Sequence, residues 1–272
     1  MTGTSKRSDR PAVLAIAGFD PSGGAGIIAD IRTFVHFGCR PTAAITSLTF
    51  QNSQGVFGAI HESAGSLRAQ ILPIVAEYKI AAVKIGMLPT AEVVSEVVAL
   101  IDEKHLPAPV VDPVMQSSSG HRLIEEGAME ILIRELLPRT VLITPNIPEA
   151  ESLTGIRIED ELTMREAAQK LRELGARAVL IKGGHLRQET GARSQEPGQN
   201  VSEAIDVLDD EGQVTIFRGE WIDAQPVRGT GCMLSAAIAA NLAKGLRLQD
   251  AIQAARLFVA EGLHSSLIIH DS

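Results

Sequence analysis

Short aliphatic runs alternate with longer amphipathic stretches along most of this chain, and that alternation admits few architectures. "AVLAIAG" (12–18), "AAITSLT" (43–49), "AAVKIG" (81–86), "APVVDPV" (108–114), "TVLITPN" (140–146) and "AVLIKGG" (178–184) read as strands. Helical spacing fills 24–37, 65–78, 90–104, 123–136 and 163–174, and "TMRE" at 163–166 opens the last of these with a capping box. Strands joined through helices run parallel, so the rhythm predicts a mostly parallel, doubly wound α/β sheet covered on both faces. The rhythm changes after 185. "RQETGARSQEPGQN" (187–200) reads as an exposed polar loop, 204–217 as a hairpin turning at "DDEG", and 230–244 and 248–264 as two closing helices. No repeat or linker divides the chain, which predicts a flexible tail over 1–11 and a single domain over 12–272.

Composition agrees with buried parallel strands. Of 272 residues, 45% are hydrophobic but only 3% aromatic, so Ala, Val, Ile and Leu must build the core. The two cysteines, Cys39 and Cys232, are too few for a disulfide framework. The polar start "MTGTSKRSDRP" lacks the apolar core of a signal peptide, and no apolar run approaches the roughly 20 residues that span a bilayer. The expectation is a cytoplasmic protein in which the sequon at Asn200 goes unused. A net charge of −8 argues against nucleic acid or a membrane surface as partner, but not against a small anionic ligand.

Polar residues gather where the strands end, which in open α/β sheets is the ligand edge. "RGTGCMLS" (228–235) puts glycines before a helix, where bare N–H groups and the helix dipole suit a phosphate. The P-loop lysine motif is absent, so Gly229, Thr230 and Gly231 would have to hold an anion by backbone alone; close helix packing explains the same glycines equally well. Cys232 on the first turn could be a small buried hydrophobe or a thiolate activated by the helix N-terminus. "GFDPSGGAGIIAD" (18–30) packs four glycines into nine residues. Gly24, Gly26 and Ala29 imitate a dinucleotide fingerprint, yet no Asp or Glu occurs between Asp30 and Glu62 to hold a ribose. A loop closing over a small substrate fits better.

In "TPNIPEAE" (144–151), Asn146 and Glu149 stand three apart, suited either to a water-coordinated Mg²⁺ or to a helix cap. Gln51 in "QNSQG" offers an amide donor and acceptor together, which match an amino group beside a ring nitrogen; a polar turn is the plain alternative. Seven histidines show no zinc-ligand spacing.

Taken together, "AIAGFDPSGGAGIIADIRTF", "ITSLTFQNSQGV", "VKIGML", "VVDPVM", "LITPNIPEAESLTG", "IKGGH" and "GTGCMLSAAIAANLAKG" resemble, in order, the signatures of the hydroxymethylpyrimidine and phosphomethylpyrimidine kinases of thiamine biosynthesis, from about residue 12 to 260. That resemblance implies a ribokinase-like three-layer sandwich with a mostly parallel central sheet. It implies an ATP- and Mg²⁺-dependent enzyme that phosphorylates 4-amino-5-hydroxymethyl-2-methylpyrimidine and then its monophosphate. Gly18, Ala25, Gln51, Met87 and Val114 would line the pyrimidine pocket. Asp112, Asn146 and Glu149 would lie near the metal and nucleotide phosphates, with Asp112 and Glu149 toward the metal. Lys182 and the amides of Gly229, Thr230 and Gly231 would hold the transferring phosphate, and Cys232 would stand where related sugar kinases carry an aspartate base. A homodimer is implied as well, and at this length a fused thiamine-phosphate synthase is not expected.

Arg228 replaces the family's usual histidine, while Phe19, Phe50 and Met233 replace smaller or more polar residues. These changes leave pyridoxal kinase activity as the competing enzyme reading, and a non-catalytic pyrimidine sensor as the competing class. Whether Asp20 or Asp30 meets the substrate hydroxyl, and whether 187–200 forms a lid, stay open at this level.

Overall fold

A computed structural model describes residues 10–52, 54–117, 120–184, 203–220 and 229–264. Most of the expected tail, the 187–200 loop, His185, Asn200 and Arg228 lie outside the described residues. The chain runs β1 (Ala12–Phe19), α1 (Gly26–His36), β2 (Arg40–Asn52), β3 (Gly55–His61), α2 (Ala64–Glu77), β4 (Ile80–Ile85), α3 (Ala91–Lys104) and β5 (Val110–Val111). It continues through α4 (Glu126–Ile131), β6 (Leu142–Ile143), α5 (Ile147–Thr154), α6 (Glu161–Glu173), β7 (Ala178–Lys182), β8 (Glu203–Asp210), β9 (Gln213–Glu220), α7 (Thr230–Ala243) and α8 (Leu248–His264).

The strands form one sheet in the order β3-β2-β1-β4-β5-β6-β7-β8-β9. Pairing is parallel from β2 through β7, and antiparallel at β2–β3, β7–β8 and β8–β9. Period-two alternation divides the side chains between two cores. Leu14, Ile16, Val83, Ile85, Val111, Ile143, Val179 and Ile181 pack with α2 to α6. Val13, Ala15, Ala17, Ala82, Val110, Leu142, Ala178 and Leu180 face α1, α7 and α8. The second face is richer in alanine, which lets the alanine-lined α7 lie close to the sheet. The result is the expected three-layer α/β sandwich.

Several boundaries differ from the sequence expectation. β3 had no counterpart in it. The runs at 108–114 and 140–146 contribute only two ladder residues each, because Pro109, Pro113 and Pro145 supply no N–H to extend them. The helix expected over 123–136 is α4 followed by a π turn (Leu132–Leu136) and a 3₁₀ turn (Leu137–Arg139). α6 begins before Thr163: Asp160 is its cap, accepting from the Thr163 N–H at 2.8 Å, and Thr163 closes the box in return. The hairpin does turn at "DDEG", with Glu211 and Gly212 at φ 51° and 95°.

Candidate active site

The parallel strands bring their carboxyl ends to one edge in a staircase of backbone hydrogen bonds. Gly86 donates to the Ile16 carbonyl at 2.9 Å, Asp112 to Ile85 at 2.8 Å, Thr144 to Val111 at 2.9 Å and Lys182 to Pro145 at 2.9 Å. Lys182 shares strand parity with Ala178 and Leu180, so its side chain lies on the α7 face of the sheet. There its ammonium donates to Asp112 Oδ1 at 2.8 Å, and the Thr144 hydroxyl reaches the same oxygen at 3.3 Å. Burial pulls the Lys182 ammonium down, but the charges of Asp112 and Glu149 more than offset it and hold it above the usual lysine range. Asp112 Oδ2 accepts no hydrogen bond among the described residues.

The start of α7 closes onto this pair. A Cβ on Gly231 would stand 3.2 Å from Lys182 Nζ and 3.5 Å from Asp112 Oδ2, so glycine is what allows the approach. Gly229, at φ 82°, caps the helix, and a Cβ there would meet the Gly24 carbonyl at 2.0 Å. Both glycine loops are thus pressed together. The first helical bond is Met233 N–H to Gly229 O at 2.8 Å, which leaves the N–H groups of Gly231 and Cys232 ahead of it.

Cys232 is half-buried between the layers. Burial pushes its thiol up to about 11, with Asp112 and Asp30 adding to the rise; Lys84 and the Gly26 N–H, which donates to the sulfur, oppose it. The expectation that the helix N-terminus activates this thiol is therefore corrected for the free protein: desolvation wins over the dipole.

Asn146 and Glu149 form a reciprocal capping box at the start of α5, at 2.8 and 2.9 Å. Burial raises the Glu149 carboxyl to about 7; Lys182 opposes this, Asp112 adds to it, and the N–H groups of Asn146 and Met115 oppose it. The two carboxylates therefore feel each other across Lys182.

Of the expected pocket residues, Gly18 and Met87 meet: a Cβ on Gly18 would lie 3.0 Å from Met87 Sδ. Ala25 belongs to the glycine loop, its N–H donating to Asp20 Oδ2 at 3.0 Å. Val114 follows Asp112, and its N–H returns to the Asp112 carbonyl at 2.8 Å. Gln51 sits at a register break in the β2–β3 hairpin, opposite Val56, with its side-chain amide unpaired among the described residues. Asp20 is occupied in shaping the loop, since Ser22 N–H and Oγ both donate to its Oδ1, at 2.8 and 2.7 Å. Asp30 is fully buried against Lys84, 2.8 Å away.

A family model described as phosphomethylpyrimidine kinase matches residues 20–271. The chain belongs to the phosphomethylpyrimidine kinase family. It is 40% identical over 253 residues to a hydroxymethylpyrimidine/phosphomethylpyrimidine kinase of Aquifex aeolicus, covering 93% of this chain and 94% of that one. With the enzyme of that name from Bacillus subtilis it shares 38% identity over 93% of this chain and 89% of the other. Among solved structures, phosphomethylpyrimidine kinase of Clostridium difficile matches with TM-score 0.78 and 35% identity over 93% of this chain and 99% of that one. An ADP complex of Bacillus subtilis pyridoxal kinase matches with TM-score 0.80 and 33% identity, over 94% and 92%. The ribokinase-like fold is common to both.

In this family member, sequence reasoning passed over Lys84. The signal was a lysine inside the apolar strand "AAVKIG", on a chain position that alternation turns toward α1 and α7.

Proposed function

We propose that this chain is a two-step pyrimidine kinase, transferring phosphoryl groups from ATP to the hydroxymethyl oxygen of 4-amino-5-hydroxymethyl-2-methylpyrimidine and then to the resulting monophosphate. The observation that carries this reading is the start of α7, where Gly231 closes over the Lys182–Asp112 pair. Amides and an ammonium converging on one point suit a transferring phosphoryl group, whose charge grows on its peripheral oxygens. The amides of Gly229, Thr230 and Gly231 and the Lys182 ammonium would hold that charge, with Asn146 at the nucleotide side.

The two steps make different demands. In the first, an alcohol proton must leave as oxygen attacks phosphorus, and Cys232 would be the group that takes it. In the second, the nucleophile is a phosphate monoester with a second pKa of about 6, mostly ionised already, so no base is required. Gln51 would pair with the ring's amino group and nitrogen, while Gly18, Ala25, Met87 and Val114 supply its walls.

Mg²⁺ fits the donor set. Asp112 keeps one oxygen without a hydrogen bond among the described residues, and burial together with the Asp112 charge raises the proton affinity of Glu149 in a way a cation would relieve. Among the described residues no cluster of three or more His, Cys, Asp or Glu side chains forms. When bound, the ion would neutralise phosphate charge; Asp112 and Glu149 would hold it. We further read residues 12–272 as one kinase domain acting in the cytoplasm as a homodimer. No helix among the described residues is long and apolar enough to cross a membrane.

Product analysis with Mg-ATP tests the reading, offering the hydroxymethylpyrimidine, its monophosphate and pyridoxal in parallel. Diphosphate from both pyrimidines, with little product from pyridoxal, is expected. Turnover of pyridoxal alone would transfer the activity to the other branch of the fold. Tight pyrimidine binding without turnover would favour a sensor.

A further inference from the structure

Lys84 and Asp30 are an ion pair with no exposed side-chain surface, buried beneath the site. Lys84 projects from β4 on the same face as Ala82, toward α1 and α7. Its ammonium donates to Asp30 Oδ2 at 2.8 Å and makes no other hydrogen bond among the described residues, and among them Asp30 Oδ1 has no partner. Such an arrangement is costly: a buried pair rarely repays its desolvation unless the remaining protons and lone pairs are satisfied. Apolar residues of similar volume would serve packing better.

The position of the pair suggests what it does. Asp30 lies one helical turn after Gly26, whose N–H donates to the Cys232 sulfur. Lys84 Nζ stands over Gly86, 2.9 Å from where a Cβ there would be, so glycine leaves room for the ammonium at the strand end. The titratable groups acting on Cys232 are Lys84 from β4, Asp112 beyond β5, Asp30 from α1 and Lys182 from β7. Both cations are paired, Lys182 with Asp112 and Lys84 with Asp30, and of the two it is Lys84, on the sheet face toward α1 and α7, that opposes the rise of the Cys232 thiol.

We propose that Lys84 is a positioning residue for the first phosphoryl transfer: tethered by Asp30, its ammonium is the fixed countercharge for the anion on Cys232. The Cys232 proton is first released to solvent. The thiolate then accepts the hydroxymethyl proton as the oxygen–phosphorus bond forms and the bond from phosphorus to the ADP oxygen breaks. Lys84 stays protonated throughout. Asp30 sets the strength of the effect, because it holds the ammonium in place and also offsets its charge. The inference rests on Cys232 being the proton acceptor.

The two members of the pair therefore act on Cys232 with opposite sign, which a purely structural pair would not do. The rate of Cys232 alkylation by iodoacetamide at pH 8.5, read by peptide mass spectrometry, separates the cases. Lys84→Gln keeps a donor for Asp30 but removes the charge, and should slow alkylation about tenfold or more. Asp30→Asn keeps an acceptor for Lys84 and removes the opposing charge, and should speed alkylation several-fold. Lys84→Gln should also slow hydroxymethyl phosphorylation about tenfold, with monophosphate phosphorylation within about threefold of wild type. Changes in the same direction in both variants, or none in either, overturn the proposal. If Lys84→Gln does not fold, Asp30→Asn decides alone: unchanged or slower alkylation rejects the countercharge. Failure of the proton-acceptor reading itself shows separately, as equal losses of both steps in Cys232→Ala.

Discussion

The proposed phosphate end and the proposed pyrimidine end of this molecule are built in opposite ways. At the first, Asp112 and Lys182 pair at 2.8 Å directly under Gly231 of α7, with the charge of Glu149 acting on Lys182. At the second, Gln51 rides on the β2–β3 hairpin at the sheet edge, beside large apolar side chains that face solvent: Phe50 is 50% exposed, Phe57 67% and Ile60 57%. A reaction class needs one defined arrangement of charge, and the packed end is where we propose it lies. Substrate choice needs only a rim, and a hairpin can change without disturbing the charges. A phosphomethylpyrimidine kinase and a pyridoxal kinase both match this fold, at TM-scores of 0.78 and 0.80.

The largest effects should come from the packed end. Lys182→Met removes the counterion of a buried Asp112 and one proposed holder of the transferring phosphate; both phosphorylation steps should fall by about 10²–10³-fold in steady-state assays. A loss confined to one step would break the view of a shared phosphate site. Gly229→Ala comes next. It forces a side chain into a left-handed conformation and against the Gly24 carbonyl, and should lower thermal stability by about 1–3 kcal/mol while slowing both steps. An unchanged melting profile would show that the two glycine loops are not pressed together.

The open end should respond in binding instead. Gln51→Leu should raise KM for the pyrimidine by roughly 10–100-fold with kcat little changed, since a ring-reading hydrogen bond pair is removed. A kcat loss with constant KM would move Gln51 into the chemistry. Phe50→Ala should give the smallest effect, within about threefold on the pyrimidine and confined to the ratio of pyrimidine to pyridoxal turnover.

The pH behaviour sharpens the contrast. With a thiol raised to about 11, alkylation of Cys232 in the free protein should stay slow at pH 8 and climb toward pH 11. Because the folded thiol holds its proton above the value of 9.0 expected in the unfolded chain, stability should fall as pH rises from about 9 to 11, and Cys232→Ser should remove that part of the fall. Rapid alkylation near pH 8 would mean the helix N-terminus outweighs burial after all.

The packed end was also the more legible in the sequence. Apolar runs and the glycines at 229 and 231 mark β1, β4, β7 and the start of α7, because parallel strands and anion loops leave strong local patterns. Asn146 and Glu149 were readable as a capping box for the same reason. β3 left little trace: "GVFGAIH" carries two glycines and turns Phe57 and Ile60 outward, so neither alternation nor burial shows. Three-dimensional proximity was the other hidden quantity. Nothing in "GTGCMLS" says that Asp112 and Asp30 stand near Cys232, so the dipole was visible and the desolvation was not. Lys84 was concealed inside an apolar run whose partner lies 54 residues earlier, on α1.

The central claim is that Cys232 takes the proton in the first transfer and has no such task in the second. Single-turnover rates of Cys232→Ala with the hydroxymethylpyrimidine and with its monophosphate test it most directly. The account predicts a loss of about 10²-fold in the first and less than about threefold in the second. Equal losses in both would contradict it, and would make Cys232 a residue that shapes the anion site rather than one that moves a proton.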